Sequence, residues 1–584
     1  MRLSYVALDS LHVQICRMYG ATTNLRRETE LIILNKDGSV TPFVSSGPTV
    51  GTLPAPLVVG ESIVTSRARY FIYGGLSIAI FIRLLLVLSA NFPLNDGGMF
   101  YAMIRDLQSS HYALPHFTSY NGHQIPFAYP PLGFYVAGLV ADLTNGSVFT
   151  MLRLLPLLLN VAAIGAFALL ARSILRSNDA AAVAVVAFSF LPRSVLWLIM
   201  GGGLTRGFGI LFALLAMHQC YEMFVRRVLW RAAPTAIFVS LTILSHPGMA
   251  LFLAYSLVLF FFWQGRNRNG FISASIVVLA TVVLTAPWWL TVIAYHGTAP
   301  FLASIHTGTT SLGTLFGYAI QLDITGEPFF PILGVIAMLG IIWSVQSRQW
   351  MLIIWLAVML PLDPREYLTE MLVPVSLFVG IGVIEVLLPW FSRVERSRLP
   401  RWNGRLSSLV MSGVVVYIAI ALIAACAPVD VPLTTQDRVA MTWVGQSTPS
   451  NSRFLVITGN RVWVVDRAAE WFPALTGRMS VATVQGSEWL PTGQFSQDVT
   501  QYNDLQACAD QSTACIDNWE KETRKSFDYV YVTKRAPIGG SASASSDSTI
   551  ANSERHFAIE FALKSDPNYA LVFENSATAI FKRQ

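Results

Sequence analysis

Charge is what this 584-residue chain has least of: Asp, Glu, Lys and Arg make up 13% of it, 53% is hydrophobic, and the mean hydropathy is +0.52. Soluble domains carry about a quarter charged residues, so the composition excludes that class and indicates an integral membrane protein. Cysteine is scarce. The five, at 16, 220, 426, 508 and 515, are too few and too scattered for a disulfide scaffold or a thiolate metal site; only Cys508 and Cys515 lie close together in a polar stretch where a pair can form. None of the nine histidines recurs at the HxH or HxxxH spacing of paired metal ligands, so the spacing designates no metal site. The excess positive charge, +6, is not gathered into one patch or tail, which excludes a nucleic-acid partner. Its Arg and Lys sit in short clusters between apolar runs, the pattern that orients helices in a bilayer.

Apolar runs near the ~20-residue spanning length can be threaded by holding those clusters on the cytoplasmic side. Arg67 and Arg69 precede the first span, which starts near Tyr70; no cleavable leader is visible in the polar stretch before it, so this span is expected to act as its own insertion signal. The chain then emerges outside at "LNDGGMFYAMIRDL". The run "YPPLGFYVAGLVADL" from Tyr129 is short and led by two prolines, and reads as a helix lying in the outer interface. A second crossing at 149–172 returns to Arg172 and Arg176. Clusters at Arg226–Arg231 and Arg266–Arg268 must then be separated by two crossings, which Pro247 divides with His246 at the outer turn. Continuing through Arg348 and "FSRVERSRLPRWNGR" to a last span at 406–427 gives about eleven crossings, an odd number that leaves the C-terminus outside a plasma membrane.

Two parts are not membrane. Residues 1–66 contain "ELIILNKDGSVTPFV", a hairpin pattern with a "KDG" turn, expected as a small cytoplasmic segment. After the transmembrane region, 67–428, the stretch 429–584 alternates short strand patterns ("RFLVIT", "RVWVVD", "FDYVYVTK", "YALVFE") with a helical one ("DRVAMTWVGQS"), an extracytoplasmic α/β domain with a flexible "GGSASASSDS" loop. The expected fold is thus an α-helical polytopic membrane protein with a C-terminal α/β domain.

Positive charge is exceptional outside, so Arg105, Arg153, Arg193, Arg206 and Arg365 draw notice. They share that side with Asp96, Asp106, Asp323, Glu327, Asp363 and Glu366 and with His111, His116, His123, His246, His296 and His306. Loops 91–128 and 291–327 are large enough to fold over one another and enclose a cavity at the lipid boundary.

"NDGGMFYAMIRDL" after the first span, "IPFAYPPLGFYV", and "RLLPLLLN" opening the second resemble the beginning of GT-C membrane glycosyltransferases, especially the protein O-mannosyltransferase and aminoarabinose-transferase branch. "GGGLTRG" and "DPREYLTEMLVPVSLFVGIGV" extend the likeness; the latter is similar to that family's Arg/Tyr loop and following helix, which brings in Tyr367. The resemblance implies a polyprenyl-phosphate sugar donor, a protein, glycan or lipid acceptor, a GT-C-like fold among membrane lipids, and an acidic residue acting at the sugar-transfer site, here Asp96. It designates no cofactor and leaves a divalent cation open. This chain departs from the branch in having Asn95–Asp96 where an acidic pair is common and Tyr129 where a lysine precedes Pro-Pro-Leu. It has no "WWDYG" motif, although "EWFPALTGR" has a similar aromatic-acidic character.

The expected chemistry assigns Asp96 as base toward the acceptor hydroxyl. Arg206 and Arg365 are assigned to the phosphate, or Arg105, Arg153 or Arg193 in place of one of them. Tyr129, His246 and Tyr367 complete the binding set. Bland readings stand beside these: Asp96 as a helix cap before Gly97, Asp106 paired with Arg105 or a histidine, His246 as a turn residue, Arg206 on carbonyls freed by its glycines, Arg365 paired with Asp363 or Glu366. A lipid-saccharide transporter or flippase and a non-catalytic envelope-assembly protein are the competing functions.

Overall fold

The computed structural model describes residues 66–534 and 557–584, apart from 123, 306, 308–312, 314–316, 318–323, 364, 399–404, 430 and 492, together with two short strands near the N-terminus. Those strands, β1 (Ile32–Leu34) and β2 (Val40–Pro42), pair antiparallel as the hairpin pattern predicts. The "KDG" turn, His123, His306, Asp323 and the "GGSASASSDS" stretch lie outside the described residues. Residues Val59–Gln584 form one compact unit.

Among the described residues seven helices are long and apolar enough to cross a bilayer. The helices that position the site are α1 (Ser66–Leu88), α2 (Gly98–Ser109), α3 (Leu132–Thr144), α4 (Val148–Ile174), α5 (Asn178–Phe190), α6 (Gly203–Arg226), α7 (Ala232–Ile243) and α8 (Pro247–Phe260), of which α1, α4, α6 and α8 are among the seven. Five apolar helices are shorter, α3, α5 and α7 among them, and the expected eleven crossings would need four of those five to span as well. The run divided at Pro247 does form two helices. Proline is tolerated at the start of α8 because its missing N–H is an orphan there anyway, and His246 caps that helix, its Nδ1 accepting from Met249 N at 3.3 Å.

One cation is buried within the bundle. Arg83 on α1 donates to Asn160 Oδ1 (2.6 Å), Ser194 Oγ (2.9 Å) and the carbonyls of Ala79 and Ser189, so a charge in the apolar interior has every side of its guanidinium occupied. This ties α1 and α4 to the turn after α5, from which the segment lining the site departs.

The C-terminal part is a five-stranded sheet in the order β4-β3-β5-β7-β6, with β3 (Arg453–Ile457), β4 (Met479–Ser480), β5 (Tyr529–Thr533), β6 (Tyr569–Glu574) and β7 (Thr578–Arg583). β3 runs parallel to β4 and β5, and the remaining pairs are antiparallel. Successive strand residues face opposite sides. Phe454, Val456, Tyr529, Tyr531 and Ile580 belong to a core shared with α2, α3 and the loops after α1. Leu455, Ile457, Val530, Val532 and Phe581 belong to a separate core under the domain's own helices. Burial on both faces is why β5 reads as the unbroken run "YVYVT" rather than an alternation.

The strand expected at "RVWVVD" is absent. Asp466 accepts from Ala469 N (3.1 Å) and from the hydroxyls of Thr458 and Tyr502, capping α9 (Arg467–Thr476), so the chain turns at Trp463–Val465 instead of extending. The helix expected at "DRVAMTWVGQS" forms as α10 (Thr435–Ser447), and Cys508 and Cys515 are joined.

Candidate active site

Two backbone segments meet to hold Asp96. Gly97 is the N-cap of α2 and its helix end has no side-chain cap, so Asp96 does not serve there. Its Oδ1 accepts instead from Gly202 N at 2.8 Å, at the first turn of α6, where unpaired N–H groups favour a carboxylate. Only glycine fits position 202, because a Cβ there would stand 2.3 Å from Asp96 Oδ2. The "GGGLTRG" motif therefore brings α6 close enough to seat the carboxylate.

Residues of the α/β domain brace the same loop. Glu470, in the first turn of α9, accepts from Gly97 N at 3.0 Å. Trp471 Nε1 donates to Asn95 O at 2.9 Å, Asn95 Nδ2 to Val464 O at 3.3 Å, and Tyr120 OH to Glu470 O at 2.7 Å. The approach is tight at Gly98, where a Cβ would stand 2.7 Å from the carbonyl of Glu470. Asp96 and Glu470 thus form a carboxylate pair contributed by opposite ends of the chain. Burial raises the affinity of both for protons. In Glu470 the nearby Asp96 charge adds to this, whereas Gly202 N–H and Arg206 counter it in Asp96. The backbone N–H groups of Gly97, Gly98 and Met99 counter the shift in Glu470, whose carboxyl is raised to about 8.

Across a cavity of about 620 Å3 lie the cations. Arg206 Nη2 is 3.2 Å from Glu366 Oε1, and Nη1 donates to Trp197 O at 3.4 Å. Trp197 has a φ of 67°, a left-handed conformation that is strained for a bulky residue and turns its indole to the cavity wall. Burial pushes the Glu366 carboxyl up, but Arg206 chiefly, with His246 and Arg365, outweighs it and holds the group at about 2. Arg365 is exposed to the cavity and donates to Thr307 O and Oγ1 at 2.9 and 2.8 Å; Asp363 Oδ1 accepts from the backbone N–H groups of residues 365 and 366, fixing that turn. The Tyr129 hydroxyl is 3.1 Å from Thr205 Oγ1, and its ring meets Phe100 and Trp489 edge-on at 5.2 and 5.5 Å. His246 is buried beside them, its imidazole held neutral by burial and then by Arg206.

The structure brings Asp96, Tyr129, Arg206, His246 and Arg365 to one cavity. It does not bring Arg105, an exposed residue whose Nη1 bonds Gln108 at 3.3 Å, or Tyr367, which is buried and not in the lining. Asp106 accepts from Thr118 and Ser119 at 2.7 and 2.8 Å and pins that loop; Glu327 caps the helix Ile332–Gln346 through Leu333 N and Gly334 N. Sequence reasoning missed Glu470, Glu488, Trp197, Trp463 and Trp489, all in the lining. The signal for the first was the aromatic-acidic "EWFPALTGR". Among the described residues no group of three or more His, Cys, Asp or Glu is gathered to hold a metal ion.

Residues 128–426 match the family model described as "6-pyruvoyl-tetrahydropterin synthase related domain; membrane protein". No curated protein matches by sequence. Among solved structures, the arabinofuranosyltransferase AftD from Mycobacteria superposes with a TM-score of 0.51 at 16% identity, over 90% of this chain and 40% of its own, so this chain spans less than half of that enzyme. ArnT from Cupriavidus metallidurans bound to undecaprenyl phosphate gives 0.49 at 13% identity over 88% and 98%. The Archaeoglobus fulgidus oligosaccharyltransferase AglB, in complex with an inhibitory peptide and a dolichol-phosphate, gives 0.49 at 13% over 80% and 70%. The likeness to AftD is one of fold, the GT-C-like arrangement expected from the sequence.

Proposed function

We propose that the chain, which belongs to the membrane-protein family whose model it matches, is a glycosyltransferase moving a sugar from a polyprenyl-phosphate donor to an acceptor on the extracytoplasmic face. The observation that carries this is the convergence of the Asp96–Glu470 pair and the Arg206–Arg365 pair on one cavity of about 620 Å3. Two opposed demands of glycosyl transfer from a lipid phosphate are met there. The leaving phosphate needs fixed cations, and the acceptor hydroxyl needs a base.

In this reading the donor phosphate lies against Arg206 and Arg365, whose guanidinium donors match its oxygens. The acceptor oxygen attacks the anomeric carbon from the opposite face and its proton passes to Asp96. The bond from the anomeric carbon to the phosphate oxygen breaks with its electron pair, leaving polyprenyl phosphate and an inverted glycoside. An oxocarbenium-like centre acidifies the attacking hydroxyl as the bond forms, so a carboxylate of ordinary strength suffices. Protonated Glu470 keeps a second negative charge away from that base and from the incoming phosphate. Tyr129, His246, Trp197 and Trp489 shape the sugar pocket. The orientation, with the C-terminal domain outside, rests on the charge clusters that flank the apolar runs.

Comparison of lipid-linked sugars and envelope glycans between cells with the native protein and cells with Asp96→Asn tests this. One polyprenyl-phosphate sugar should accumulate in the variant while the protein remains folded in the membrane. Unchanged lipid-linked sugars and glycans would sink the reading and leave Asp96 as a support for α6.

A further inference from the structure

A second polar groove, of about 400 Å3, shares no lining residue with the cavity above. It opens just past the end of α1 and beside the start of α4, and is lined by Asn91, Ser147, Thr150, Arg153, Arg438 and Thr442 with apolar neighbours. No carboxylate lines it. Arg438, from α10, lies 4.9 Å over the ring of Phe92 and donates through Nη2 to Asn91 and Thr435 at 3.1 Å. Arg153 makes no hydrogen bond or ion pair among the described residues, and the Nε of each arginine is buried without a partner. Asp437, next in sequence to Arg438, is engaged in the capping box of α10 with Thr434. Two guanidinium groups around one groove without an anion repel each other, and buried orphan donors are rare unless something satisfies them.

The depth of the groove identifies the ligand. α4 has 27 residues, about 40 Å of helix against roughly 30 Å of hydrocarbon, so about 10 Å of it projects. Arg153 is in its second turn, which a projecting N-terminal end of α4 would hold at the level of the headgroups. Leu84, Leu85 and Leu88 of α1 and Leu158 of α4 are exposed on the helices that lead away from it, a surface suited to acyl chains. We propose that this groove binds the phosphate of an anionic phospholipid, with Arg153 and Arg438 on the phosphate oxygens and the hydroxyls of Ser147 and Thr150 beside them.

The test is thermal unfolding of the purified full chain in neutral detergent, titrated with phosphatidylglycerol, phosphatidylcholine or inorganic phosphate. Phosphatidylglycerol should raise the unfolding temperature of the native protein, and the other two should not. Arg153→Gln, which removes no bond within the protein, should require about tenfold more phosphatidylglycerol for the same rise, the loss expected for one charge-assisted contact. Arg153→Lys should recover most of the response, and Arg153→Gln with Arg438→Gln should abolish it. An equal rise in native protein and Arg153→Gln overturns the site. An equal rise with phosphatidylcholine overturns its selectivity for charge, and a full response to inorganic phosphate overturns its assignment to a lipid.

Discussion

The helical bundle and the α/β domain contribute to one cavity in different ways. The bundle presents Asp96, Arg206 and Arg365 from the ends of apolar helices, where a charged residue stands out against its neighbours. The α/β domain presents Glu470, Glu488, Trp463 and Trp489 from loops and first turns in an already polar stretch. One face of its sheet is packed into the same core as the loop that carries Asp96. The domain is accordingly part of the site's architecture, and the position of the proposed base, Asp96, depends on both regions.

The strongest way to break that comparison is to remove the base. Asp96→Asn should lower kcat by about 10²- to 10⁴-fold, read in a purified transfer assay, with the unfolding temperature little changed because an amide oxygen still accepts from Gly202 N. Gly202→Ala should come next, with a loss on the order of 10²-fold. Every charged group is retained, but the added methyl occupies the space of Asp96 Oδ2, and misplacement by about 1 Å is enough for such a loss. Full activity in Gly202→Ala would show that the close approach of α6 to the carboxylate is irrelevant.

Arg206→Gln sharpens the division on the bundle side. It removes a proposed phosphate ligand and also the counter-charge of Glu366, so KM should rise and stability should fall, by up to about 3 kcal/mol for a pair that is largely desolvated. Glu366 is held below its unfolded value, so its contribution is present above the usual carboxylate range and is lost as pH falls toward about 2. In Arg206→Gln that acid dependence should flatten, as measured by unfolding at a series of pH values.

On the domain side the partner of the base is the target. Glu470 is raised by burial and then by Asp96, so it is protonated at neutral pH and ionises on the alkaline side. Transfer by the native protein should therefore decline as pH rises, when a second charge develops beside the base. Glu470→Gln mimics the protonated form and its amide oxygen still accepts from Gly97 N, so it should retain most of the neutral-pH rate and lose the alkaline decline. A pH–kcat/KM profile identical to native would remove Glu470 from the chemistry and leave it only the bracing of the loop.

The unequal visibility of the two regions in the sequence has a physical origin. In the bundle, hydrophobicity is nearly uniform, so the breaks in it are informative. Pro247 marked a division into two helices, and that division is found where the pattern placed it, whereas the close approach that the glycines before Arg206 allow is not legible in the sequence. Arg105 failed the same reasoning because, one residue from Asp106 in sequence, it points from α2 to Gln108 rather than into the cavity. In the domain, "RVWVVD" had the composition of a strand, and the cap formed by Asp466 with Thr458 and Tyr502 overrode it. Glu470 was hidden because its partner, Gly97, is 373 residues away, and the aromatic-acidic "EWFPALTGR" around it does not say which loop it reaches.

The smallest effect on transfer is expected where the domain faces away from the membrane part. The bond between Cys508 and Cys515 closes a loop with a sequence separation of 7, for which chain entropy gives about 2.5 kcal/mol. Cys508 belongs to the core on the far face of the sheet, with Leu455, Val530 and Phe581, whereas Trp471 and Phe454 belong to the core shared with the Asp96 loop. Cys508→Ser with Cys515→Ser should therefore lower the unfolding temperature of the domain and leave kcat and KM at neutral pH unchanged below that transition. A fall in kcat in proportion to the lost stability would mean that strain crosses the sheet from one core to the other, and that the division between a face that builds the site and a face that only supports it is false.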